Sequence, residues 1–175
     1  MNRSPKQSKT EPPSALPEAG EHTACDPSGV ERWLLASFSD IVPKSQWGET
    51  SFFVNPGARA AHGAYFLTIK QKDGDNDKAS ALDRPGVWRL NFGLPKPDFV
   101  KIFGPPPRRP GKGGVIEGPW DFNKLDQLTP HPVYGWAGWV AILNPSLESL
   151  DGLKPLVARA HWKALQTFRK RFPDA

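Results

Sequence analysis

The chain has 175 residues, 38% hydrophobic and 23% charged, which suits one soluble globular domain with a real core. A net charge of +5 and a pI near 9.4 permit an acidic partner without requiring one. A single cysteine excludes an intrachain disulfide, no stretch has the length and apolarity of a membrane span, and the N-terminus lacks the apolar core of a signal peptide. A cytoplasmic location without a membrane partner is the resulting expectation.

Residues 1–25 are rich in Pro, Ser, Glu and Lys and nearly devoid of large apolar side chains. Such a segment cannot offset its ordering entropy by burial and is expected to be a disordered tail, leaving 26–175 as the folded domain. Asp26-Pro27 is a helix-opening pair, and Val30, Trp33, Leu34, Phe38 and Ile41 recur at helical spacing until Pro43. A short strand is predicted over 51–54. Two further runs, AYFLTIK at 64–70 and VWRLNF at 87–92, alternate with period two. In the first, Tyr65, Leu67 and Ile69 share one face. In the second, Trp88, Leu90 and Phe92 face one way and Arg89 and Asn91 the other, as an antiparallel sheet covered on one side requires. The long charged loop between them offers Asp77 as cap of a short helical turn over 78–82. Loops of this length are often functional.

Residues 97–103 read as a short helix burying Phe99, Val100 and Phe103, with Gly104 as its C-terminal cap. Arg108, Arg109 and Lys112 follow on a Pro/Gly-rich loop. A second short helix is predicted over 121–128, with Phe122, Leu125 and Leu128 inward. The WVAIL run at 139–143 reads as a strand buried on both faces, with Trp139 in the core. The longest helix is predicted over 153–172. Its apolar stripe is Leu153, Val157, Ala160, Ala164 and Phe168, while Arg159, Lys163 and Lys170 share the far side.

Motifs for chemistry are sparse. Asp73, Asp75 and Asp77 alternate like the start of a calcium loop, but Lys78 and Arg84 stand where its glycine and bidentate glutamate belong. The histidines lack metal-ligand spacing, and no nucleophile elbow or P-loop is present. No cofactor, no metal and no catalytic residue is therefore assigned. His62 and His131 flank strands and are candidates to meet in space.

Two blocks, GAYFLTIKQKDGDNDKASALDRPGVWRLNFG and HPVYGWAGWVAILNPS, resemble a bacterial family known only as a domain of unknown function, over roughly residues 30–172. More distantly, the chain is similar to MmcQ/YjbR-like proteins. Gly63-Ala64-Tyr65-Phe66, Arg89-Leu90-Asn91-Phe92, Trp139-Val140 and Ala160-His161-Trp162 take the places of that family's successive motifs. The chain departs at Gly93, where the pattern has lysine, and at Tyr134-Gly135-Trp136, where it has histidine and asparagine. This resemblance implies a double-wing fold and, by fold analogy, DNA binding.

The combined expectation is an α+β domain: an antiparallel sheet of about four or five strands with helices on one side, MmcQ/YjbR-like. Its leading function is a non-enzymatic binding module for nucleic acid or another polyanion, through Arg108, Arg109, Lys112, Arg159, Lys163 and Lys170. The alternative is an enzyme or ligand-binding protein with a site between the Asp73–Arg84 loop and the His131–Trp136 turn, drawing on His62, Asp77, Arg84, His131 and Trp136.

Overall fold

The computed structural model describes residues 25–173. Nine regular elements follow in order: α1 (Pro27–Ser37), β1 (Ile41–Gln46), β2 (Glu49–Val54), β3 (Ala64–Lys70), β4 (Arg89–Gly93), α2 (Lys96–Phe103), β5 (Thr129–Pro130), β6 (Trp139–Leu143) and α3 (Leu147–Arg171). The strands form one antiparallel sheet in the order β1-β2-β3-β4-β6-β5. The core lies between one face of that sheet and the three helices. Phe52, Leu67, Leu90, Phe92 and Val140 are fully buried there against Leu34, Phe99, Val157 and Phe168. Apolar burial of this kind is the main stabilising term, at about 25 cal/mol per Å² removed from water.

The α+β class and the one-sided helices agree with the sequence, but the sheet has six strands rather than four or five. The two extra strands carry prolines. Pro43, read as a helix stop, lies within β1, an edge strand paired with β2. An edge tolerates proline because one side of its backbone has no neighbour. The helix itself ends at Ser37, so Ile41 belongs to the sheet. Trp47 (φ 54°) and Gly48 (φ 74°) make the left-handed two-residue turn that joins β1 to β2. Pro130 likewise confines β5 to two residues at the other edge.

A β-bulge alters the faces of β3. Phe52 pairs with Leu67 but Phe53 pairs with Tyr65, so Phe66 is an extra residue. Phe66 therefore joins Leu67 on the helix side, where it meets Phe38 and His161 edge-on. Tyr65 crosses to the face of Thr68 and Lys70. Strict period-two counting had placed Tyr65 with Leu67 and Ile69.

Five further expectations are corrected. Neither 78–82 nor 121–128 is helical; both are turns, and Leu125 is exposed. Val100 is also exposed, while Phe99 fills the core from α2. Cys25, assigned to the tail, is buried and its backbone N–H bonds Pro145 O at 2.9 Å. The rest of the expected tail lies outside the described residues. α3 begins six residues before Leu153, with the Ser146 hydroxyl accepting from Ser149 N at 3.1 Å. It runs through Pro155, a residue that ordinarily favours a start just before it.

Candidate functional site

The sheet's second face carries the polar half of the alternation. Register sets Glu49 of β2 beside Lys70 of β3, Lys70 beside Arg89 of β4, and Thr68 beside Asn91. A cavity of about 420 Å³ opens over these residues, between the loop that joins β3 to β4 and the turn after β5. Its size falls in the range of small-ligand sites. Thr68 and Asn91 floor it, and Glu49, Lys70, Asp77 and His131 line it with them. Tyr65, Tyr134 and Trp139 supply aromatic surface.

The floor is polar and buried. Asn91 Nδ2 donates to Thr68 Oγ1 at 2.8 Å, and both residues are nearly inaccessible. Asn91 Oδ1 has no protein partner. Turning the amide over would only exchange which polar atom is left without one. Lys70 Nζ donates to Glu49 Oε2 at 2.9 Å, and Tyr65 Oη donates to Glu49 Oε1 at 3.3 Å. Burial, opposed by a Ser51 hydrogen bond and reinforced by the Glu49 carboxylate, pushes the Tyr65 phenol up to about 12.

The aromatic side is a row across the sheet. Phe53 and Tyr65 lie with ring centroids 5.3 Å apart, and Tyr65 and Trp139 5.0 Å apart. Trp139 reaches Tyr65 by crossing β4 at Gly93, where an added Cβ would sit 3.1–3.3 Å from three indole atoms. Trp139 is thus half-buried at the cavity and not a core residue; residues 140–143 are the part of its strand buried on both faces.

Behind the cavity is a buried ion cluster. Arg89 is 1% exposed and makes a bidentate pair with Asp77, Nη1 reaching Oδ1 at 3.0 Å and Nη2 reaching Oδ2. Nη1 also donates to Ser80 Oγ at 2.8 Å. The backbone N–H groups of Val133 and Tyr134 each approach His131 Nδ1 at 3.1 Å. Nε2 lies 3.1 Å from Arg89 Nη2 and 4.0 Å from Asp77 Oδ2. Burial alone would raise the pKa of Asp77, but the hydrogen bonds and charge of Arg89 outweigh it and hold the carboxyl below its usual range. Burial, then the Arg89 charge, push His131 well below the ordinary 6.5 against the pull of Asp77, so its ring is neutral.

Of the ligand-site residues predicted from sequence, Asp77 and His131 meet at this cavity. The others lie elsewhere. His62 Nδ1 is 3.0 Å from Lys44 Nζ. Arg84 donates to the carbonyls of Ala81, Ser80 and Asn123. Trp136 stacks under Arg109, whose guanidinium is 4.6 Å from the ring centroid. Among the basic residues, Arg159 pairs with Asp98 at 3.0 Å and lies over Trp162, while Lys163 Nζ donates to Leu94 O at 2.8 Å and burial lowers its pKa. Lys170 is exposed. Cys25 has its thiol pKa raised by burial first and nearby aspartates second, which makes it a poor nucleophile. No group of three or more possible metal ligands occurs among the described residues.

Glu49, Thr68, Lys70, Asn91 and Trp139 are the site residues that sequence reasoning missed. For Thr68, Lys70 and Asn91 the signal was present as the polar half of the strand alternation; Glu49 lay before the strand predicted at 51–54, and Trp139 was assigned to the core.

No helix among the described residues is long and apolar enough to cross a membrane. No curated protein and no solved structure matches the chain. The distant likeness to MmcQ/YjbR-like proteins thus rests on the sequence pattern alone. A family described as "Family of unknown function (DUF6194)" matches residues 25–172, nearly all of the described chain. The chain belongs to that family.

Proposed function

We propose that the chain is a small-ligand-binding protein whose site is the cavity on the open face of the sheet. The observation that carries this reading is Asn91: an amide 1% exposed, on the cavity floor, with one polar atom that no protein group satisfies. Buried polar atoms are almost always paired, and the two exceptions among the described residues, Asn91 Oδ1 and Arg89 Nε, lie at or behind this one cavity. The Arg89–Asp77 cluster supports the reading. Burying an ion pair is a weak source of stability, and perturbed titratable groups beside a cleft are a mark of functional sites. The basic surface supports a nucleic-acid module less well, because Arg159 and Lys163 already have protein partners.

The test is a thermal-shift screen of the intact protein against sugars, nucleosides, amino acids and organic acids. At least one compound is expected to raise Tm saturably, and Thr68→Val with Asn91→Leu to abolish the rise. If every compound leaves Tm unchanged while DNA binds through Arg108, Arg109 and Lys112, the cavity reading fails and the polyanion reading takes its place.

A further inference from the structure

The cavity is one end of a longer groove. A second cleft of about 950 Å³ lies beside it, over β1 and β2, and the two share Glu49 and Lys70. Trp47, 87% exposed on the turn between β1 and β2, lines this second cleft. The groove does not share the basic balance of the chain. Glu49, Asp73 and Asp75 line it against Lys44 and Lys70, and Arg89 takes up the charge of Asp77, whereas the whole chain carries +5. A polyanion finds no net positive surface there.

The donors and acceptors are mixed at short range. An ammonium has three N–H donors, and Lys70 uses one on Glu49. The Glu49 carboxylate has acceptor capacity beyond its bonds from Lys70, Ser51 and Tyr65. A hydroxyl both donates and accepts, so a ligand with several adjacent hydroxyls matches this set as a purely donating or purely accepting ligand does not. The aromatic surface fits the same guest. Tyr65 and Trp139 pack on each other at 5.0 Å and 35° and leave no parallel slot for a flat heterocycle, while Tyr65 keeps 47% of its surface exposed as an apolar platform. A pyranose ring offers such a platform an apolar C–H face while its hydroxyls reach the polar side.

Resting on the ligand-binding reading above, we infer that the groove takes a neutral oligosaccharide, with one sugar ring on Tyr65 and Trp139 and a more distant ring at Trp47.

The test is isothermal titration of the full chain with neutral mono- and tetrasaccharides built from glucose, mannose, galactose, xylose and N-acetylglucosamine, beside nucleosides and organic acids. The expected result is a tetrasaccharide that binds at least about tenfold tighter than its monosaccharide. Its affinity should not change between low and moderate salt, because no ionic contact is screened. Trp47→Ala should bring the tetrasaccharide down to the monosaccharide's affinity and leave the monosaccharide unaffected. Tyr65→Ala should abolish both, with circular dichroism checking the fold. Binding of a nucleoside or organic acid but of no saccharide overturns this inference and leaves the cavity reading intact. Equal affinity for both lengths, or no effect of Trp47→Ala, overturns the groove. No heat from any compound overturns both readings.

Discussion

The two faces of one sheet differ as much as two proteins do. On the helix side, β2, β3, β4 and β6 present Phe52, Leu67, Leu90 and Val140, all fully buried and apolar. On the other side the same strands present Glu49, Thr68, Asn91 and Trp139, and the buried members are polar. The first face needs no explanation beyond the hydrophobic effect. The second removes polar groups and a guanidinium from water, which stability alone does not favour. The difference separates what folds the chain from what the fold is for.

Substitutions should break the two faces differently. Phe92→Ala on the helix side should cost about 3–5 kcal/mol in denaturant unfolding, through lost transfer energy and a cavity. Arg89→Ala should cost a similar amount, about 3–5 kcal/mol, because it leaves Asp77 buried and unpaired. The distinction appears on replacing both ions. Arg89→Met with Asp77→Leu should recover most of the loss, whereas no second substitution at a polar position should rescue Phe92→Ala. A double variant as unstable as Arg89→Ala would show that the ion pair holds the fold together.

Acid should act through the second face. His131 has a folded pKa depressed below 6.5, so on acidification the unfolded chain takes up its proton first. The stabilising neutral state is fully effective above about 6.5, and stability declines as pH falls below that value, on the order of 1 kcal/mol per pH unit for this group. Asp77 is also depressed, and its contribution is present above the unfolded carboxylate pKa and lost as pH falls through its lower folded value. Unfolding midpoints of wild type and His131→Asn, compared between pH 7 and 4.5, should therefore diverge most at neutral pH and converge in acid. Parallel curves would remove His131 from the linkage.

Finer changes sharpen the comparison. Gly93→Ala brings a methyl against Trp139 and should cost about 1–3 kcal/mol while shifting tryptophan fluorescence. On the outer surface, Arg159→Gln should change stability by less than about 1 kcal/mol, since its pair with Asp98 is half-exposed.

Much of the fold was legible because it follows from periodicity. The bounds of β3 and β6, the Asp26 cap and the α3 stripe all match the sequence reading. What failed has local causes. Pro43 hid an edge strand, and the bulge at Phe66 moved Tyr65 across the sheet. The turns at 121–128 have apolar residues at helical spacing, but the backbone at Leu125 bridges Leu143 of β6, and propensity alone is a weak guide. Part of the site was visible in Asp77 and His131, which belong to the predicted loop and turn. The rest was not. Thr68 and Asn91 look like solvent-facing strand residues until loops distant in sequence close over them.

The central claim is that the buried polar residues of the open face are kept for a ligand and not for the fold. The most direct test is the denaturant midpoint of the double variant Thr68→Val with Asn91→Leu, measured beside Leu90→Ala on the opposite face of β4. Replacing both members of the buried pair, one of whose polar atoms has no partner, should leave stability within about 1 kcal/mol of wild type, or above it. Leu90→Ala should lose about 2–5 kcal/mol. A loss in the double variant as large as that at Leu90 would contradict the account.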